Sequence, residues 1–258
     1  MPCIFCGRSP VTNEHVFPRW LNRYLGRNRR QQLEQARYGE NGFDLVYPSV
    51  GIDFRVRKVC AQCNNGWLSD LEAESIDVLH PLISGLELQL VTRRQQRQVA
   101  VWAVKTAMVM DQTQAASLMP ARQLARMRTQ RAIPGGTRVW MGACDALFPI
   151  VTSHTVRIDH EPLDEPEAPW PVGYYAPMKI GHLCLYVYFP GVDVVIQHPA
   201  IYHIALARIW PRRGGSIAWP PPGRPRDGAA FEELADTLWR ELRLYRPEHA
   251  RQHGVGES

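Results

Sequence analysis

The sequence predicts an α+β fold in two parts: a short, irregular N-terminal unit over residues 1–80 and a larger α+β domain of unassigned fold over residues 81–258. Three observations predict it. Two Cys-x-x-Cys pairs, Cys3 with Cys6 and Cys60 with Cys63, lie in the first quarter of the 258-residue chain. A unit as small as the one they bracket needs a cross-link to hold it together. Beyond residue 81, two helical apolar stripes are followed by several alternating runs, and the 45% hydrophobic content suffices for an ordinary core.

The elements follow from local patterns. After the first cysteine pair comes a segment around His15, a short helix at 18–25 and a Gly-rich, polar loop through 39–51. The run 52–59, Ile-Asp-Phe-Arg-Val-Arg-Lys-Val, alternates and predicts a strand that delivers Cys60. A helix starts near Asn65 or Gly66, buries Leu68, Leu71 and Leu79, and stops at Pro81. A buried helix at 95–110 is built on Val99, Trp102, Ala103 and Met110, and another runs from 120 to 131, before Pro134-Gly135-Gly136. Strands are expected at 137–141, 148–158, 182–189 and 202–210, with an acidic, proline-rich loop at 159–171 and a last helix at 231–245. No repeat recurs at a fixed period. Trp219-Pro220-Pro221-Pro222-Gly223 reads as a rigid loop.

No window approaches 18 uninterrupted apolar residues, and Met1-Pro2-Cys3 opens neither a basic nor an apolar leader, so a soluble cytoplasmic protein with no membrane partner is expected. In a reducing compartment, paired cysteines favour metal over disulfides. Cys3, Cys6, Cys60 and Cys63 are the expected ligands of one structural Zn²⁺, whereas Cys144 and Cys184 are expected to be inert core thiols. The net charge of +5 and pI near 9.0 are modest, but the charge is clustered. Arg19, Arg23, Arg27, Arg29, Arg30 and Arg37 face one acid, Glu34, and seven arginines plus Lys105 between 93 and 131 face only Asp111. The first cluster is a candidate phosphate-binding surface; the second is either that or a solvated helix face.

Glu14-His15 lies inside the cysteine-closed loop, and a carboxylate beside an imidazole can divide hydrolysis between metal binding and proton transfer. Cys-x-x-Cys, then Glu14-His15-Val16-Phe17-Pro18, then Cys60-Ala61-Gln62-Cys63-Asn64-Asn65-Gly66 resembles the HNH, or His-Me finger, endonucleases over roughly residues 3–72. The resemblance implies a zinc-braced ββα-metal unit that hydrolyses phosphodiester bonds in DNA. It makes His15 the general base, and Glu14 and Asn64, with Asn65 nearly as good a candidate, the ligands of Mg²⁺ or another divalent ion. The C-terminal domain would then recognise substrate, a protein partner or a second copy of the chain. This sequence departs from the family pattern in its long 15–60 interval and in a helix that offers Ser69, Asp70 and Glu72 where many members carry a further histidine or asparagine. The competing readings are a non-catalytic zinc-ribbon module that binds nucleic acid and an interaction subunit. Trp20, Tyr24 and Trp67 are expected to form a small core more than to stack on bases.

Overall fold

The structure, a computed structural model, describes residues 2–24, 32–39, 42–50, 55–86, 90–113, 117, 119–144, 151–153, 156–159, 172–189, 206–212 and 214–221. Arg27, Arg29, Arg30, the loop beyond Asp159 and the expected helix at 231–245 lie outside these residues.

The N-terminal unit is an antiparallel pair followed by a helix. Strand β1 (Val11–His15) pairs with β4 (Arg55–Cys60), Val11 opposite Cys60 and His15 opposite Arg55, with a bulge between Thr12 and Glu14. Between them lie a one-turn helix, α1 (Leu21–Tyr24), and a hairpin of β2 (Gln32–Gly39) and β3 (Gly42–Val50). The expected loop at 39–51 is thus largely a strand. Its Phe43, Leu45 and Tyr47 recur at every second residue, and Gly42 sits at the turn end, opposite Gly39, where it does not interrupt pairing.

Strand β4 runs directly into a helical segment: α2 (Ala61–Cys63), a π-helical stretch (Asn64–Leu68) and α3 (Ser69–Ile83). Leu68, Leu71 and Leu79 are all buried, as their spacing predicts. Pro81 does not end α3. The proline removes one backbone bond and crowds the Asp77 carbonyl without ending the helix, and the stop comes at Gly85, whose φ of +69° favours glycine. Leu86 N–H returns to the Pro81 carbonyl at 3.0 Å, and a Cβ on Gly85 would lie 2.5 Å from the His182 ring.

The rest is a helix against a sheet. The pair β5 (Leu90–Val91) and β12 (Ile217–Ala218) stands beside α4 (Arg93–Asp111), whose Thr92–Gln95 capping box closes its start. Residues 99–111 are all buried, including Lys105 and Asp111. After α5 (Ala121–Gln130) come β6 (Arg138–Ala143), β7 (Val151–Ser153), β8 (Val156–Asp159), β9 (Val172–Ile180), β10 (Leu183–Phe189) and β11 (Ala207–Trp210). They form one sheet in the order β11-β6-β10-β9-β7, with β8 also on β9. The expected strand at 148–158 is two strands. Strand β9 has no counterpart in the sequence reading, because Gly173 and Pro177 argue against a strand. Pro177 is tolerated where β7, which pairs as far as Met178, gives way to β8, which begins at Tyr175, so its missing N–H breaks no ladder bond there.

Leu183, Leu185, Val187 and Phe189 of β10 share a core with α4, while Cys184 and Tyr186 pack with Cys144 on the other face. Both thiols are buried, as expected of core cysteines. One apolar cluster extends from Cys3 through α3 and α4 to Trp219, and the division at residues 80 and 81 falls inside α3. Among the described residues, no helix is long and apolar enough to cross a membrane.

Candidate functional site

Two tight turns bring the four cysteines together. The first is closed by Gly7, whose N–H donates to the Cys3 carbonyl at 2.8 Å and whose φ of +73° a side chain would strain. Ile4 N–H donates to the Lys58 carbonyl at 3.0 Å and ties this turn to β4. The second places Cys60 at the end of β4 and Cys63 one helical turn on, the spacing that aims two side chains the same way.

The four Sγ atoms all lie within 4.8 Å of one another, with Cys6 and Cys60 at 3.5 Å. A tetrahedral zinc thiolate, with Zn–S near 2.3 Å, has sulfurs roughly 3.8 Å apart, so the donor set fits one ion. Among the described residues, this is the one group of three or more His, Cys, Asp or Glu placed to hold a metal. Burial opposes ionisation of Cys60, but the Cys63 backbone N–H and the neighbouring thiols outweigh it and bring Cys60 down to about 7. Burial pushes Cys6 and Cys63 up. One thiol is therefore primed to ionise first, and an ion displaces protons from the others.

His15 and Glu14 end β1 and differ in surroundings. His15 is half-buried, and Arg19 Nε donates to its Nε2 at 3.2 Å, which leaves the ring proton of a neutral imidazole on Nδ1. Glu14 is 3% exposed. Burial pushes its carboxyl up to about 7, against the pull of Lys105 and with a smaller push from Glu72. Lys105 is fully buried on α4, and its Nζ lies 3.2 Å from Glu72 Oε1. This lysine was read from the sequence only as part of a basic run. Its place on the apolar face of α4, among Val101, Trp102 and Met108, was the available signal that it would be buried and paired.

Asn64 and Asn65 stand in the π-helical stretch. Gly66, at φ −98° and ψ −115°, interrupts the helix there, a kind of irregularity that recurs at functional sites. Asn65 is exposed and Asn64 half-buried, and neither side chain is hydrogen-bonded among the described residues. Ser69 and Asp70 are exposed, and Glu72 is committed to Lys105. Arg19 is exposed beside His15, whereas the Arg23 side chain and Arg27, Arg29 and Arg30 lie outside what is described. Of the aromatics, Trp67 packs edge-on against Phe5 at 4.9 Å, as a core pair would. Tyr24, 37% exposed, packs against the His80 ring at 3.9 Å, with Trp20 at its edge.

Two consequences are measurable. With no divalent ion added, Glu14 binds its proton more tightly folded than unfolded. Its contribution to stability is therefore whole below pH 4.5 and is lost as pH rises to about 7, a decline of about 3 kcal/mol. Urea melts across that range should show the slope in the wild type and lose it in Glu14→Gln; an unchanged slope would place the titration elsewhere. Lys105→Met leaves Glu72 and Glu14 without their buried cation and should cost about 3 kcal/mol by the same melts. A loss below about 1 kcal/mol would mean that solvent already screens the pair.

The chain matches no family model, no curated protein and no solved structure.

Proposed function

We propose that the protein is a metal-dependent endonuclease of the HNH type that hydrolyses DNA phosphodiester bonds, with His15 as general base. The observation that carries the reading is the strand–strand–helix unit made by β1, β4 and α3. Four thiols that fit one zinc ion close it at Cys60, His15 ends its first strand, and Asn64 and Asn65 stand at the entrance of its helix.

In this reading, the Nε2 lone pair of His15 takes a proton from the attacking water. Arg19, which holds that lone pair in the free protein, moves from the imidazole to a phosphate oxygen, an exchange suited to an exposed guanidinium. Asn64, with Asn65 beside it, and Glu14 would hold a hard divalent ion through their side-chain oxygens, and that ion would offset charge on the phosphate and the departing oxygen. Glu14 first gives up its proton, which Lys105 favours. The test is incubation of zinc-loaded protein with DNA and with RNA in Mg²⁺, Mn²⁺ or Ni²⁺. Cleavage of DNA that needs the added ion supports the proposal; a folded, zinc-loaded protein that cuts neither polymer sinks it.

A second reading, a non-catalytic nucleic-acid-binding module, draws on the burial of Glu14 beside Lys105 and Glu72, a setting in which the carboxylate already has a cation. Such a module binds DNA with steep salt dependence and is indifferent to His15→Ala.

A further inference from the structure

Arg93, Arg94 and Arg97 are all exposed at the start of α4 and share about 100° of its circumference. Arg212, also exposed, joins them from the turn after β11. Its Nη1 donates to the Arg93 carbonyl at 3.4 Å, and Arg93 Nε donates to the Gly214 carbonyl at 3.2 Å. Buried Gln96 fixes the same junction, its Nε2 donating to the Val91 carbonyl at 3.0 Å and to the Gly215 carbonyl at 2.9 Å. Two segments more than a hundred residues apart are thus held together through backbone carbonyls, which leaves the guanidinium charges uncompensated. Among the described residues none of the four arginines makes an ion pair, in contrast to Arg131, which pairs with Glu74. Asp77 of α3 is exposed and makes no ion pair with them either.

From this juxtaposition we infer that Arg93, Arg94, Arg97 and Arg212 form a preorganised surface for the phosphate backbone of nucleic acid, outside the zinc unit and independent of base sequence. A strand of nucleic acid presents a charge at every step, which suits several cations along one arc, and a guanidinium can hold phosphate through two parallel bonds. The helix start adds positive potential on the same side. The inference rests on nucleic acid being the partner proposed above, but not on cleavage.

The test uses the full zinc-loaded chain and a fluorescent DNA duplex, with anisotropy followed over a range of NaCl and no divalent ion. The variant Arg93→Gln/Arg94→Gln/Arg97→Gln should lower the slope of log affinity against log salt by roughly 2–3, at about 0.9 for each phosphate that is no longer neutralised. Arg212→Gln should lower it by about 1, and Arg122→Gln/Arg126→Gln on α5 should leave it unchanged. A thermal melt matching the wild type shows that the variants fold; should the triple variant fail it, Arg94→Gln and Arg97→Gln singly carry the test. An unaltered slope, no binding by the wild type, or displacement of DNA by polyglutamate at equal charge overturns the inference, the last in favour of an acidic protein partner. A wild type that binds here yet does not cut once Mg²⁺ or Mn²⁺ is added removes the nuclease reading alone. One that cuts while the triple variant keeps the wild-type slope removes this surface alone.

Discussion

Cys60→Ser is expected to lose its metal and unfold the N-terminal unit, with a first thermal transition far below that of the wild type. The physical reason is the small size of what holds the unit together without the ion. The pair β1–β4 is only two strands wide, and an isolated two-stranded sheet is marginal in water. A structural zinc contributes roughly 10–16 kcal/mol in small zinc-binding peptides, on the order of the whole stability of an ordinary domain. Removing one of four thiolates also leaves the buried Cys3 and Cys63 and the half-buried Cys6 crowded within 4.8 Å of one another without a complete ligand set for the ion. Phe5, Val16, Val59 and Cys63 belong to the same buried cluster as α3 and α4, so loosening here should reach beyond residue 60. Metal content and differential scanning calorimetry on wild type and variant decide it: about one zinc per wild-type chain and none or little in the variant. A Cys60→Ser protein with wild-type thermal stability, from a wild type that carries no metal, would contradict the zinc assignment.

The second large effect is catalytic and should leave stability alone. His15→Ala is expected to lower the rate of DNA cleavage by about 10²–10⁴, the usual contribution of a positioned general base, with zinc content and melting temperature unchanged. His15 is half-buried at the end of β1, so its loss opens no large cavity. Addition of imidazole to the variant should restore part of the activity, which a merely structural histidine would not allow. Arg19→Ala should instead raise the substrate concentration needed, since the arginine meets the phosphate and takes no proton. Equal cleavage by wild type and His15→Ala would remove His15 from the chemistry.

How much of this was legible in the sequence depends on how local each determinant is. Cysteine spacing is set within a turn, and the four thiols do converge. The stripes of α3 and α4 are one-residue-deep patterns, and Leu68, Leu71, Leu79, Val99, Trp102, Ala103 and Met110 are all buried. What the sequence hid is what other elements decide. Pro177 is acceptable in β9 only because of where β7 and β8 meet, and Pro81 lies inside α3, whose stop comes two residues past its end at Gly85. At the site, the sequence groups Glu14, His15 and Asn64. The structure adds Lys105 and Glu72, which reach Glu14 from α4 and α3, and Arg19, four residues after His15, whose bond to the imidazole no spacing rule foretells.

The most direct measurement of the central claim is plasmid nicking by zinc-loaded wild type and His15→Ala side by side, with and without Mg²⁺ or Mn²⁺. The account predicts nicking that needs the added ion and is lost in the variant while both proteins remain folded. Equal silence from two folded, zinc-loaded proteins, or equal nicking by both, would contradict it.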